Sequence, residues 1–117
     1  MYQDGRGGDQ DEHAAFRLRS EAAATGDPNA QYALGYAFLG GVGTERNPST
    51  AAFWFRLAAE QGHTAAQSGL GVLYEVGRGL PQDRDQAIYW YRKAAQRGDT
   101  QAAKYLAELT GSPRDTK

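Results

Sequence analysis

Few residues in this sequence have the type and spacing that chemistry requires. The two histidines, His13 and His63, lie far apart, and neither has a second histidine at i+4 with which to hold a metal ion. Both are interpreted as surface or helix-cap residues. The absence of cysteine excludes disulfides, thiolate zinc sites and cysteine nucleophiles. No P-loop, nucleophile elbow, H-E-x-x-H or calcium-loop pattern occurs, so the sequence predicts a protein that is not an enzyme, with no metal site and no cofactor.

Two further features are assigned structural roles. The segments Gly41-x-Gly43 and Gly77-x-Gly79 have the glycine content of loops that cradle phosphate. No strand pattern precedes either segment, and both recur as loops between predicted helices. The carboxylates of Asp83 and Asp85 lie at a predicted helix start, where negative charge complements the helix dipole. This position does not indicate acid–base catalysis.

The composition limits the classes of partner. The chain has 117 residues, which predicts one domain, and its 13 basic and 14 acidic side chains give a net charge of −1. Because no field of one sign results, we expect no nucleic acid partner and no binding to an anionic membrane. No apolar stretch approaches the roughly 20 residues of a membrane helix, and residues 1–10 are too polar for a secretory signal. We expect a cytoplasmic protein, or a periplasmic or extracytoplasmic one if the chain is part of a longer protein.

An internal repeat defines the elements that position all these residues. When the sequence is shifted by 36 positions, so that Gly41 meets Gly77, small and apolar residues align without a gap. The aligned pairs include Leu34 with Leu70, Gly43 with Gly79, Trp54 with Trp90, Ala58 and Ala59 with Ala94 and Ala95, and Gly62 with Gly98. The pattern predicts repeat units at 2–37, 38–73 and 74–109 in one array over 1–110, followed by a flexible tail at 111–117.

Each unit contains two amphipathic helices with apolar residues at helical spacing. The predicted helices cover 11–25, 28–39, 48–61, 64–76, 84–97 and 100–110, which makes the fold all-α. Asp27 before Pro28 and Asn47 before Pro48 are typical of a helix cap followed by proline at the first helical position. Gly62 and Gly98 follow predicted helix ends, where a left-handed residue closes the last turn.

Two mid-helix glycines and two tryptophans are predicted to shape the core. Gly35 and Gly71 should each cost roughly 1 kcal/mol relative to alanine, which close helix contact would offset. We expect them to face the alanine pairs Ala58–Ala59 and Ala94–Ala95. Trp54 and Trp90 are interpreted as wedges that fill the space between units.

These motifs together resemble the SEL-one-like repeat family, a branch of the tetratricopeptide class of solenoids. The pattern A-x-x-x-L-G-x-x-[YF]-x-x-G-x-G runs from Ala30 to Gly43, and A-x-x-W-[YF]-x-x-A-A-x-x-G runs from Ala51 to Gly62. The resemblance implies a right-handed α-α superhelix that acts as a non-catalytic adaptor for another protein or a peptide. Some cysteine-rich members of the family have been linked to β-lactams, so β-lactam binding or hydrolysis is an alternative, although this sequence lacks the cysteines.

In tetratricopeptide-like solenoids the first helix of each unit lines the concave face. Transferred to this sequence, that arrangement predicts partner contacts at Gln31, Tyr32, Tyr36, Gln67, Ser68, Val72, Lys104 and Glu108. Tyr32 and Tyr36 lie one helical turn apart, and tyrosine is frequent at interaction hot spots. Packing of both tyrosines against a neighbouring helix is the alternative. Phe53 and Leu57 form a second candidate contact because only the second unit is apolar at both positions.

The first copy of the motif departs from the pattern. Residues 2–7 match the end of a first helix, so the array is expected to begin in mid-repeat as a fragment of a longer one. This arrangement would leave apolar surface on the 11–25 helix uncovered, with Leu18 in the tryptophan position. Self-association through this incomplete repeat, or a purely structural role within a longer array, is the remaining alternative.

Overall fold

Six helices form the described part of this chain. The computed structural model describes residues 4–111, and it describes side chains for residues 11–111. The helices are α1 (Asp4–Ala24), α2 (Pro28–Gly40), α3 (Pro48–Glu60), α4 (Thr64–Val76), α5 (Arg84–Gln96) and α6 (Thr100–Thr110). Only Gly111 of the predicted tail at 111–117 belongs to the described residues. The all-α prediction is confirmed.

Short polar side chains begin the helices, as the sequence predicts. The side chain of Asp27 accepts hydrogen bonds from backbone N–H groups at the start of α2, and Asn47 and Asp83 do the same for α3 and α5. Asp99 caps α6, whereas His63 takes the equivalent position before α4. Each cap satisfies a backbone donor that the first helical turn leaves unpaired.

The helices lie side by side in chain order, with each helix packed mainly against the next. The result is an elongated body of 60 × 28 × 26 Å, as expected for a solenoid in which each unit contacts only its neighbours. Among the described residues, no helix is both long and apolar enough to span a membrane.

The mid-helix glycines permit close packing, but against aromatic rings. A Cβ atom on Gly35 would lie 2.9 Å from the ring of Phe55 and 3.2 Å from the carbonyl oxygen of Ala51. A Cβ atom on Gly71 would lie 2.7 Å from the ring of Tyr91. The prediction of close contact is therefore confirmed, whereas the expected facing alanine pairs are wrong. The space that the missing side chain leaves is filled by the ring of Phe55 in α3 or of Tyr91 in α5. The alanine pair one turn later in the same helix does not fill it.

The tryptophans occupy the predicted places in the core. Trp90 is buried in the main apolar cluster, which extends from α3 to α6. Trp54 is half-buried and packs against a second cluster formed by Ala23, Ala30 and Leu34. The tryptophans thus join consecutive units.

Loop glycines make direct backbone contact with the preceding unit. A Cβ atom on Gly79 would lie 2.3 Å from the carbonyl oxygen of Pro48, and one on Gly43 would lie 2.6 Å from that of Glu12. Both glycines also have positive φ angles, 80° and 78°. The Gly-x-Gly segments are therefore contact points between units as well as turns within a unit.

Helix α1 begins earlier than the sequence predicts. It starts at Asp4 rather than near residue 11, so Gly5 and Gly7, which align with the Gly-x-Gly segments, are helical here. In the two later copies this segment is a loop. Gly43 meets the backbone of Glu12 in α1, and Gly79 meets that of Pro48 in α3. The same glycine spacing is therefore helical in the first copy and forms a loop in the two later copies.

Candidate interaction surface

A large groove runs along α2. We call it the α2 groove; it has a volume of about 760 Å³. Its walls are Arg19, Tyr32, Ala33, Tyr36, Ala37, Leu39, Gly40, Val42, Arg46 and Arg78. Its volume falls in the range of ligand sites, which are commonly mostly apolar with a few polar groups at fixed positions.

Tyr32 forms a half-buried part of the groove wall. Its ring stacks on the imidazole of His63 with 4.7 Å between centroids, and it lies 5.5 Å from the ring of Phe55. Burial raises the pKa of the Tyr32 hydroxyl, and the neighbouring Tyr36 raises it further. Tyr32 is therefore a neutral phenol whose position is determined by three aromatic neighbours.

Tyr36 extends from the same helix into solvent. It is 51% exposed, although its ring contacts Tyr32 edge-on at 5.0 Å and Phe55 at 5.2 Å. These contacts orient the ring, so its exposed part presents an apolar surface with a polar hydroxyl, as is frequent at interaction hot spots.

The charged groups of the α2 groove are all arginines. Arg19 comes from α1, Arg46 from the loop after α2, and Arg78 from the loop after α4. Arg78 Nη2 donates a hydrogen bond to the carbonyl oxygen of Leu39 at 3.3 Å, which holds its guanidinium near the end of α2. The α2 groove is therefore positive although the whole chain has a net charge of −1.

Two residues that the sequence placed on the concave face are buried. Gln31 is 4% exposed and Gln67 is 2% exposed. Their side-chain amides donate to the carbonyl oxygens of Ala23 and Ala59, at 3.3 and 3.1 Å, and so satisfy carbonyls near the end of the preceding helix. The prediction of partner contact is wrong for both residues because their long side chains reach back to the end of the preceding helix.

The remaining predicted contacts do not line the α2 groove. On α4, Ser68 and Val72 are half-buried, and Val72 packs against the core. Lys104 and Glu108 are exposed on α6. Phe53 is exposed on α3 with its ring edge-on to Trp54 at 5.1 Å, and Leu57 is half-buried. The structure thus brings only Tyr32 and Tyr36 together in one cavity.

Sequence reasoning missed the three arginines of the groove. The repeat contained a signal for Arg19: the equivalent residues of the later copies, Phe55 and Tyr91, are aromatic, so an arginine at this position departs from the pattern. No equivalent signal was available for Arg46 and Arg78, because both belong to loops whose path depends on packing between units.

Two titratable groups that do not line the groove, those of His63 and Tyr91, make hydrogen bonds that stabilise the fold. The backbone N–H of Ala66 donates to Nδ1 of His63 at 3.1 Å, so this histidine is a helix cap. The hydroxyl of the fully buried Tyr91 donates to the carboxylate of Glu75 at 2.7 Å. Within the described residues, no group of three or more His, Cys, Asp or Glu side chains could hold a metal ion.

Solved structures with the same architecture come from bacterial repeat proteins. A Sel1 repeat protein from Oxalobacter formigenes is 42% identical, with a TM-score of 0.76, and the match covers 78% of this chain and 26% of that one. A protective antigen of uropathogenic Escherichia coli that displays an SLR fold is 41% identical, with a TM-score of 0.78, over 80% of this chain and 20% of that one. The chain thus spans about a quarter or less of these two proteins.

A more distant relative shows the fold alone. Cysteine rich protein B of Helicobacter pylori is 23% identical with a TM-score of 0.75, over 78% of this chain and 68% of that one.

None of the curated proteins matches the chain. The family model of the Sel1 repeat matches residues 1–27, 28–63 and 64–99. The chain therefore belongs to the Sel1 repeat family, whose members generally serve as protein-interaction modules.

Proposed function

We propose that the α2 groove binds an extended segment of another protein and that the chain acts as a non-catalytic scaffold. The observation that carries this proposal is the exposed ring of Tyr36 above an apolar floor, with arginines at the edges. An apolar anchor of a partner would pack against Tyr36 and displace water from the floor.

The charge of the α2 groove specifies the partner further. Its lining includes Arg19, Arg46 and Arg78 and, among the described residues, no carboxylate. Arginine binds carboxylates through two parallel hydrogen bonds, so acidic side chains beside the apolar anchor would be favoured. We infer a partner segment with one or two large apolar residues flanked by Asp or Glu, and binding that weakens as salt concentration rises.

Selection from a random peptide display library tests this proposal. We expect the selected peptides to combine apolar and acidic residues. Replacement of their acidic residues by lysine should abolish binding. Arg46→Glu should weaken binding of a selected peptide about tenfold, because it replaces an attraction with a repulsion at the groove edge. Arg92→Glu is the matched control, since Arg92 is exposed on α5 and does not line the groove.

The results that would contradict the proposal are equally direct. A library that yields no enriched motif, or a motif rich in lysine, would exclude an acidic peptide partner. Equal loss of binding in Arg46→Glu and Arg92→Glu would attribute the effect to overall charge rather than to the α2 groove.

Self-association is a second candidate, favoured by Leu18. This residue is 67% exposed on α1, where the later units have tryptophan. If α1 pairs with a second copy, the mass from light scattering should rise with concentration for the natural chain and stay monomeric for Leu18→Glu. A concentration-independent monomer in both cases would exclude this candidate.

A further inference from the structure

We propose that copies of this chain associate head to tail, with α6 of one copy packed against α1 of the next, as a first helix packs against a second helix within one unit. The contact joins the face of α1 around Arg19 to the face of α6 around Glu108. This association rests on the self-association candidate above and supplies the second surface that such a contact requires. It does not depend on peptide binding at the α2 groove.

Helices α1 and α6 are the two ends of the array. By the 36-residue alignment, α1 is a second helix like α3 and α5, and α6 is a first helix like α2 and α4. Within the described residues, α2 packs against α3 and α4 against α5, whereas α1 packs only on the helix that follows it and α6 only on the helix that precedes it. The α6 of one copy and the α1 of another therefore contain the two helices of one complete unit.

Both end helices keep the apolar pattern of a packed face but leave that face partly open. Among the second helices, Ala58 and Ala94 are 0% exposed, whereas the equivalent Ala22 of α1 is half-buried. Among the first helices, Leu70 is 0% exposed, whereas the equivalent Leu106 of α6 is half-buried. Contact between the two faces would remove this apolar surface from water, which favours association.

The two end faces depart from the repeat pattern at positions that meet within a complete unit. A Cβ atom on Gly71 would lie 2.7 Å from the ring of Tyr91. The equivalent of the glycine on α6 is Ala107, and the equivalent of the ring on α1 is Arg19. Ala107 therefore disfavours a second helix with an aromatic ring at this position, whereas a flexible arginine can move aside for the added Cβ atom. Helix α1 thus matches α6 better than a helix with the sequence of α3 or α5 does.

The charges at the same place are complementary. The rings of Tyr36 and Phe55 are in contact, with 5.2 Å between centroids. The equivalent residues of the two ends are Glu108 on α6 and Arg19 on α1. Packing of α6 on α1 in this register therefore brings a carboxylate to a guanidinium. Lys104, one turn earlier on α6, adds a like charge near the arginine, which Glu108 at i+4 offsets.

Head-to-tail packing has a specific consequence for the size of the assembly. Because the two surfaces differ, each pair of copies still has one free surface at either end, so association continues beyond a dimer. Pairing of α1 with α1 would stop at a dimer. In sedimentation velocity, we expect the mean mass of the natural chain to exceed that of a dimer as the concentration approaches the millimolar range, and to fall with added salt.

Charge reversals test the register of the contact. Glu108→Arg and Arg19→Glu should each weaken association at least about tenfold, because each variant brings like charges together. An equimolar mixture of the two variants should associate again, since the α6 of each variant then matches the α1 of the other. Glu60→Arg is the matched control, because Glu60 is exposed on α3 and belongs to neither end. Circular dichroism should show the same helix content for all variants.

A separate measurement distinguishes this proposal from peptide binding. Glu108 does not line the α2 groove, so Glu108→Arg should bind a selected acidic peptide as the natural chain does under dilute, monomeric conditions. Loss of association with peptide binding kept is the expected result.

Three results would overturn the proposal. A natural chain that stays monomeric up to millimolar concentration would exclude self-association of every kind. Assembly that stops at a dimer and is equally strong in Glu108→Arg would keep a contact through α1 but exclude α6. A mixture of Glu108→Arg and Arg19→Glu that associates no more strongly than either variant alone would exclude the contact between the two charged residues.

Discussion

The imidazole of His63 stacks on the phenol ring of Tyr32, with 4.7 Å between centroids and 30° between ring planes. The same imidazole accepts the N–H of Ala66 through Nδ1 at 3.1 Å and lies 3.0 Å from Oδ1 of Asn29 through Nε2. Because Nδ1 accepts, the proton of the neutral ring is on Nε2, which donates to Asn29. One side chain thus caps α4, contacts α2 and supports the wall of the α2 groove.

This arrangement predicts that stability falls in mild acid. Burial lowers the pKa of His63 below its ordinary value of 6.5, against smaller opposing effects of its own backbone hydrogen bond and of Asp27. The folded chain therefore binds this proton less readily than the unfolded chain. The contribution of the neutral cap is complete above about pH 6.5 and is lost as pH falls through the lower folded-state pKa. Urea denaturation at a series of pH values should show this loss.

His63→Asp is the control for the pH prediction. Asp27 and Asp99 cap α2 and α6 from the equivalent position, so an aspartate should fit before α4. Over an acid titration that starts at about pH 7, the variant should lose less stability than the natural chain. If both proteins lose equal stability over this interval, His63 is not the responsible group.

Alanine substitution should lower the free energy of unfolding at Gly71 and raise it at Gly69. On Gly71 a Cβ atom would lie 2.7 Å from the ring of the fully buried Tyr91, whereas on Gly69 it would lie 3.9 Å from Phe55. Gly69→Ala should stabilise the chain by about 1 kcal/mol through helix propensity. Gly71→Ala should destabilise it by about 1–2 kcal/mol, since overpacking exceeds the same gain. Chemical denaturation measures both, and stabilisation by both would contradict the close packing of α4 on α5.

Alanine substitutions at Gly79 and Gly98 distinguish the cost of backbone strain from the cost of a lost contact between units. Both have positive φ angles, 80° and 100°. A Cβ atom on Gly79 would press on backbone of another helix, whereas one on Gly98 would meet no neighbour within 4 Å. Gly98→Ala should cost about 1–2 kcal/mol from strain alone. Gly79→Ala should cost at least ~3 kcal/mol because it also pushes the loop from Pro48. Equal losses in thermal denaturation would mean that the Gly79 contact does not hold the units together.

The two tyrosines of the α2 groove should differ in their effect on stability. Tyr32 packs against His63 and Phe55, and its truncation to alanine should cost about 2 kcal/mol, less than for a fully buried aromatic residue. Tyr36→Ala should change the free energy of unfolding by less than about 1 kcal/mol because half of the side chain is exposed. Urea denaturation of both variants measures the difference. A larger loss of stability for Tyr36→Ala than for Tyr32→Ala would mean that Tyr36 is a core residue rather than a surface residue.

The sequence was sufficient for those parts of the fold that depend on local chemistry. Asp27 and Asn47 cap helices where short polar residues precede proline, and Gly62 and Gly98 adopt positive φ angles after helix ends. These features need only the residue and its immediate neighbours. The 36-residue period then predicts that the same chemistry recurs in each unit.

The parts that depend on contact between different helices and loops could not be predicted. Gln31 and Gln67 occupy positions that a helical wheel places off the apolar stripe, yet their side chains are long enough to reach the preceding helix end. Likewise, Arg46 and Arg78 reach the α2 groove only because consecutive loops lie side by side. Periodicity in one chain segment contains no information about these distances.

The decisive experiment on the α2 groove is the affinity of a selected acidic peptide for the Tyr36→Ala variant. Tyr89→Ala is the matched control, since Tyr89 is 47% exposed and lies on α5 outside the α2 groove. We predict that fluorescence polarisation will show at least ~10-fold weaker binding for Tyr36→Ala, unchanged binding for Tyr89→Ala, and melting temperatures near that of the natural chain for both. A folded Tyr36→Ala protein that binds the peptide as tightly as the natural chain would contradict the proposed role of the groove.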